Sequence, residues 1–185
     1  MAHAFVQEYL VRAEALEPRA LAVTRDLTPA QLAQNPAEGG WSIAQVLEHL
    51  CLTADSYEPA LEQAFATARA RREPPRPFKG TLFGTLLRKA LLEQNRQPMP
   101  APKTWHPLAP RDRVLETFLL QSRGVMARLR EADGLDVRVM LQSPLAWFIR
   151  MNLAEALAIH VVHAERHLAQ MERVRTSITK LSPTL

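Results

Sequence analysis

Two histidines near the end of the chain have the spacing of metal ligands. His163 and His167 are four residues apart, and His160 lies one turn earlier. In an α-helix, residues at i and i+4 stand one above the other about 6 Å apart, close enough to bind one ion. Imidazole is the commonest nitrogen ligand of divalent metals in proteins. If this segment is helical, the pair predicts a divalent-metal site.

The segment around these histidines has the apolar period of a long amphipathic helix. At 100° per residue, His160, His163 and His167 cover about 60° of arc in the middle of its apolar face. Burying an imidazole without a partner costs about 1–3 kcal/mol, so each ring must be satisfied. A single histidine on such a face is usually a core residue bonded to a carbonyl or carboxylate, whereas three favour a metal. His160 is interpreted as a core residue, or as one that contacts a ligand without binding the metal itself.

A tight site needs a third ligand from another helix. The candidates are His3, His49, His106 and the carboxylates. His49 is the best placed, because it lies on the flank of the apolar stripe of the second predicted helix. His3 is close to a fraying end, and His106 lies in an irregular segment. Cys51 lies on the opposite flank from His49, and its expected role is that of a small buried thiol.

Helical periodicity dominates the rest of the sequence, and sustained apolar/polar alternation is absent. The fold class is therefore predicted to be all-α. Capping pairs mark two helix starts, Ser42 with Gln45 and Asn152 with Glu155. Four long amphipathic helices predict a four-helix bundle. They cover about 2–26 with a possible kink at Pro18, 42–71, 111–132 and 152–178.

Residues 74–110, between the second and third helices, are rich in proline. One helical piece is predicted around residues 81–94, so the segment is an irregular, partly helical excursion of a single domain spanning residues 1–185. From Arg69 to Arg113 the chain has eleven lysines and arginines and three acidic residues, which predicts a basic surface. The apolar residues between Leu145 and Met151 suit a core plug, a pocket wall or a dimer surface, and ordinary packing is favoured.

Composition narrows the class of protein further. With 185 residues, the chain lies in the one-domain range. One cysteine excludes an intrachain disulfide, and no run of about 18–20 apolar residues is present. A signal peptide is not expected, because the first residues show no uninterrupted apolar h-region. A soluble, cytoplasmic protein without membrane contact is expected. No Glu follows His163 directly, so the HExxH metalloprotease motif is excluded.

Two motifs carry a family resemblance. The segment GGWSIAQVLEHL, followed far downstream by HAERHLAQMERV, resembles the DinB-like superfamily, which includes YfiT-type metal-dependent four-helix-bundle proteins. The resemblance implies that Trp41-Ser42 opens the second helix and that His49, His163 and His167 bind the metal. Gln170 fits an H-x-x-Q ending of the family. Gln45 departs from the pattern, since many members carry Glu there, and residues 74–110 match no motif.

The resemblance also implies a bundle that commonly forms homodimers and binds zinc, nickel or another divalent ion. Some members transfer low-molecular-weight thiols to electrophiles. Three protein ligands leave open positions, which is typical of catalytic sites. We therefore expect a metal-dependent enzyme that acts on a small molecule, by thiol transfer or hydrolysis. No general base can be assigned, because Glu48 and Glu165 point away from the ligands and are expected on solvated faces.

Two other kinds of function are open. One is a non-catalytic, stress-associated binding or scaffold bundle in which the histidine cluster is structural or vestigial. The other is nucleic-acid binding through the basic segment 69–113. It is disfavoured because that segment contains few aromatic residues and no helix-turn-helix or RNA-binding motif.

Overall fold

The chain folds mainly into helices, which confirms the predicted class. A computed structural model describes residues 3–71, 76–92 and 102–180. Its elements, in chain order, are α1 (Ala4–Glu14), α2 (Leu16–Thr24), α3 (Pro29–Ala33), α4 (Ile43–Arg71), α5 (Leu82–Leu92), a 3₁₀ helix (Lys103–Trp105), α6 (Val114–Ala132), strands β1 (Met140–Gln142) and β2 (Arg150–Asn152), and α7 (Leu153–Lys180).

Local side-chain caps fix where the two site-bearing helices begin. The Ser42 hydroxyl accepts from the Gln45 amide nitrogen at 3.2 Å, and the Gln45 side chain accepts from the Ser42 nitrogen at 3.0 Å. At the start of α7, Asn152 Oδ1 accepts from the Glu155 nitrogen at 2.9 Å. These bonds satisfy backbone donors that a helix start leaves unpaired. Both predicted helix starts are confirmed.

Pro18 divides the first predicted helix into α1 and α2. It has no N–H to donate to the Glu14 carbonyl four residues earlier, and α1 ends at that residue. Ala15 joins the two helices, and its nitrogen bonds back to the Arg12 carbonyl at 3.2 Å. The expected kink is confirmed and falls one turn before the proline.

The bundle core lies between α1–α2, α4, α6 and α7. Helix α4 packs on α6 and α7, while α1 and α2 each pack on α6 and α7. All seven residues from Leu153 to Ile159 are buried, because α5 and β2 cover a side of α7 that the bundle alone would leave open. In the part of the chain that the structure describes, no helix has the length and hydropathy of a membrane span.

A two-stranded antiparallel sheet was not predicted. Strands β1 and β2 pair Leu141 with Met151, and each has only three residues, too few to show an alternating pattern. Met151 is fully buried, whereas Trp147 and Phe148, in the turn between the strands, are exposed. Ordinary packing therefore holds for Met151, and contact of the exposed pair with a second copy stays a prediction.

The proline-rich excursion contains the predicted helical piece as α5. Residues 72–75 and 93–101 of this segment lie outside the described residues. Thr81, just before α5, donates its backbone N–H at 2.8 Å and its hydroxyl at 2.6 Å to the carboxylate of Glu155. Glu155 is fully buried. The excursion is thus attached to the first turn of α7 through a buried carboxylate.

The basic segment is less positive than its sequence suggested, because many of its arginines form ion pairs. Arg69 pairs with Glu131 at 2.6 Å, and Arg71 and Arg76 both lie near the buried carboxylate of Asp136. Arg111 pairs with Glu48. These contacts neutralise part of the charge on which nucleic-acid binding would depend.

Candidate metal centre

The structure brings His49 of α4 together with His163 and His167 of α7. One nitrogen from each ring can be chosen so that all three lie within 4.8 Å of one another. Nε2 of His49 is 3.2 Å from Nε2 of His163. Two nitrogens bound to one zinc at 2.0–2.1 Å in tetrahedral geometry are about 3.3 Å apart. The His49–His163 pair therefore has the spacing of two ligands of one ion, and the cluster has the donor atoms of a divalent-metal site.

Hydrogen bonds on the outer ring nitrogens orient two of the imidazoles. His49 Nδ1 donates to the Trp105 carbonyl at 2.8 Å, and His167 Nδ1 donates to Oε1 of Gln170 at 2.8 Å. Because both oxygens accept, Nδ1 carries the proton and Nε2 keeps its lone pair. Metal-binding histidines usually have such outer partners. Gln170, the last residue of the H-x-x-Q motif, is thus the outer partner of His167.

The surroundings keep the three rings neutral. Burial lowers the pKa of His49 and takes the pKa of His163 well below its ordinary value. Burial, together with the charge that His49 would carry, lowers the pKa of His167 to about 3. His163 and His167 are half-buried, whereas His49 is buried. Neutral rings have free lone pairs at pH 7, as ligands require.

The other residues considered as metal ligands lie outside the histidine cluster. His3 bonds to Asp133 and to the Leu135 carbonyl, so it secures the start of α1. His106 is exposed and its ring is 6.3 Å from Trp41, outside the cluster. Cys51 is fully buried, as predicted, and burial raises its pKa to about 12. None of these three belongs to the His49–His163–His167 group among the residues described.

Trp41 and Trp105 also belong to the site, in roles that the sequence did not predict. The ring of Trp41 lies 4.9 Å from that of His49 and 6.5 Å from that of His167. Trp41 therefore forms a wall against both ligands, in addition to preceding the helix. Trp105 contributes its backbone carbonyl, which no side-chain pattern could have indicated.

Glu48 is not on a solvated face, so that expectation was wrong. It is 4% exposed and accepts from the Arg111 backbone nitrogen and guanidinium at 2.9–3.1 Å. A buried carboxylate needs such a partner. The pair ties the segment after Trp105 to α4, next to the residue whose ring Trp105 holds. Glu165 pairs with Arg12.

The Glu48→Gln variant tests whether this tie positions His49. We expect the free energy of unfolding to fall by about 2 kcal/mol, because hydrogen bonds to a charged group are lost. Zinc affinity should fall about tenfold, as for other losses in the outer shell of a metal site. Urea denaturation and competitive zinc titration measure the two effects.

Glu172→Gln is the matched control, because Glu172 pairs with Arg19 on the surface, where side-chain exposures are 45% and 36%. It should cost less than about 1 kcal/mol and leave zinc affinity unchanged. Unchanged zinc affinity in Glu48→Gln would show that the pair stabilises the fold without positioning the ligand.

The fold and the cluster together define a class, that of helical bundles with a three-histidine site able to hold a divalent metal ion. The sequence profile of the DinB superfamily matches residues 12–171, and this chain belongs to that superfamily. A solved structure with a similar fold is YfiT from Bacillus subtilis, described as a probable metal-dependent hydrolase with an unusual four-helix bundle topology. The match has a TM-score of 0.54 and 20% sequence identity, and covers 91% of this chain and 85% of YfiT. The search of curated proteins found no match.

Proposed function

We propose that this protein is a metal-dependent enzyme that transfers a low-molecular-weight thiol to a small electrophilic molecule. The observation that carries the proposal is the cluster of His49, His163 and His167. Three protein ligands leave a position open, as in catalytic zinc sites. Zinc or nickel bound there would lower the pKa of a thiol or water that reaches it.

The carboxylates beside the ligands favour a thiol over water as the nucleophile. Glu48 and Glu165 are both held in ion pairs with arginines, so neither is placed to accept a proton. A thiol has a pKa near 8.5, and it needs less help from a base than water, whose pKa is about 15.7. Hydrolysis is the second candidate, supported by the description of YfiT.

The thiol must come from solution. Cys51 is buried, and its pKa of about 12 makes it a poor nucleophile. In the transfer, the thiol sulfur forms a bond to an electrophilic carbon, and the leaving group departs with the electron pair of the broken bond. The thiol proton passes to the leaving group or to solvent. The proposal therefore requires a reducing compartment, such as the cytoplasm.

The test compares zinc-loaded and nickel-loaded protein with the His163→Ala variant. Glutathione and cysteine are supplied with a chloronitroaromatic electrophile, and product absorbance gives the rate of thiol transfer. A nitrophenyl ester without thiol reports hydrolysis. We expect a thiol-dependent rate that His163→Ala abolishes. Ester hydrolysis alone would support the second candidate, and metal-loaded protein inactive in both assays would support a non-catalytic bundle.

A further inference from the structure

The outer face of α5 is apolar and exposed. Gly84 and Leu91 are buried on the inner face of this helix, which packs on α7. At 100° per residue, Leu82, Phe83 and Leu86 lie together on the other side. Their exposed fractions are 70%, 40% and 55%. An amphipathic helix on a protein surface normally turns polar residues outward, so a second apolar face indicates a further contact.

The turn between β1 and β2 extends this apolar face. The ring of Phe83 lies 6.1 Å from that of Phe148, which in turn lies 5.7 Å from that of Trp147. Trp147 is 80% exposed and Phe148 is 52% exposed. Aromatic rings and leucines therefore form one surface, the α5 patch: Leu82, Phe83, Leu86, Trp147 and Phe148. A contiguous apolar patch that is open to solvent is typical of an interaction site.

The two segments that form the α5 patch carry only positive charge. Residues 76–92 and 138–152 contain six arginines and lysines and no aspartate or glutamate. Lys79, Lys89 and Arg150 are exposed, and none of the three forms an ion pair with another described residue. Lys89 lies on the outer face of α5, and Arg150 comes directly after the exposed turn. The surface thus offers apolar groups together with positive charge that no carboxylate neutralises.

We infer that the α5 patch docks on the surface of a membrane that contains anionic lipids. Tryptophan, phenylalanine and leucine beside lysine and arginine are the composition of segments that lie at the boundary between headgroups and acyl chains. A second copy of this chain suits the charge less well, because a two-fold interface brings the same patch, and the same positive charges, face to face. The expectation of no membrane contact rested on the lack of a spanning run, which docking at the surface does not need.

The test is sedimentation of the full chain with two kinds of vesicle, one of phosphatidylcholine alone and one of phosphatidylcholine and phosphatidylglycerol in equal parts. We expect binding to the anionic vesicles, and added salt should weaken it. Trp147→Ser should weaken this binding at least about tenfold, because the burial of one aromatic side chain is lost. Lys89→Gln should weaken it about fivefold, the effect of one basic residue near an anionic surface.

Matched exposed residues outside the α5 patch serve as controls. Leu82 and Leu120 are 70% and 69% exposed, and Leu120 lies in α6, so Leu82→Ser should weaken vesicle binding whereas Leu120→Ser should not. Arg25→Gln, at an exposed position directly after α2, is the control for Lys89→Gln. Vesicles with brominated acyl chains should quench the fluorescence of Trp147, and Trp147→Ser should lose that part of the quenching.

Three results would overturn the inference. The first is a chain that sediments with neither kind of vesicle. The second is equal weakening by Leu82→Ser and Leu120→Ser, which would place the membrane contact away from the α5 patch. The third is a dimer, detected by light scattering without lipid, that Trp147→Ser dissociates while vesicles bind neither form. That result would assign the patch to contact between two copies of the chain.

Discussion

Purified with alanine at position 163 or 167, the protein should contain no stoichiometric metal, whereas the unchanged chain should contain close to one ion per protomer. Each variant removes one of three imidazole ligands whose nitrogens lie within 4.8 Å. Removing only an outer partner of a ligand typically costs 10–100-fold in metal affinity, and loss of the ligand itself should cost more. Inductively coupled plasma mass spectrometry on protein made without an affinity tag measures the content.

His106→Ala is the control for this experiment. His106 is exposed, near the site but outside the cluster, so the variant should retain its metal. Circular dichroism shows whether each variant is folded. Unchanged protein that is metal-free and takes up neither zinc nor nickel would contradict the metal centre, and loss of metal in His106→Ala would mean that the ligand set is wrong.

Features specified by neighbours in sequence were predictable. The caps at Ser42 and Asn152 involve partners three residues away, so they can be read directly and place the starts of α4 and α7. The spacing of His163 and His167 likewise fixes their common face once the segment is helical. Long amphipathic periods then leave a bundle as the way to bury the apolar faces.

Features that depend on distant partners were not predictable. Glu48 meets Arg111, 63 residues later, and this contact converts a residue expected on a solvated face into a buried one. The Trp105 carbonyl that orients His49 is a backbone atom 56 residues away. Any residue type can supply a carbonyl, so no sequence signal marks it. The three-residue strands are held by pairing across a turn and lack a period of their own.

The second large effect is expected where α5 meets α7. Glu155 is fully buried and accepts from the Thr81 nitrogen and hydroxyl, from the Thr85 hydroxyl at 3.2 Å and from the Asn152 nitrogen at 3.3 Å. Alanine at position 155 removes the acceptor of all four donors, of which the Asn152 nitrogen is buried and the others are partly buried. An unpaired buried donor costs about 1–3 kcal/mol, and a partly buried one costs less. We expect the free energy of unfolding, measured by urea denaturation, to fall by at least about 3 kcal/mol.

Gly84 has no side chain, and this allows the Glu155 carboxylate to lie against the backbone of α5. A Cβ built on Gly84 would lie 2.7 Å from Oε1 of Glu155 and nearer still to its Cδ. Gly84→Ala should therefore destabilise the protein by about 3 kcal/mol, at the upper end of overpacking costs. Hydrogen exchange over residues 82–92 should show whether α5 separates from α7 before the bundle unfolds.

Gly124→Ala separates this clash from helix propensity. Gly124 lies in α6, and a Cβ there would meet nothing within 4 Å. Alanine is favoured over glycine inside a helix by about 1 kcal/mol, so Gly124→Ala should stabilise the protein by up to that amount. The two glycine variants are thus expected to change stability in opposite directions.

The double variant gives the sharper result, because the clash at Gly84 requires the Glu155 side chain. With alanine at position 155, the atoms that a Cβ on Gly84 would meet most closely are gone. Adding Gly84→Ala to Glu155→Ala should then cost little or stabilise by up to about 1 kcal/mol, through helix propensity alone. The difference between the two backgrounds is a coupling of about 3–4 kcal/mol between Gly84 and Glu155, at or just above the upper end for residues in contact. Additive effects of the two substitutions would mean that α5 does not dock on Glu155.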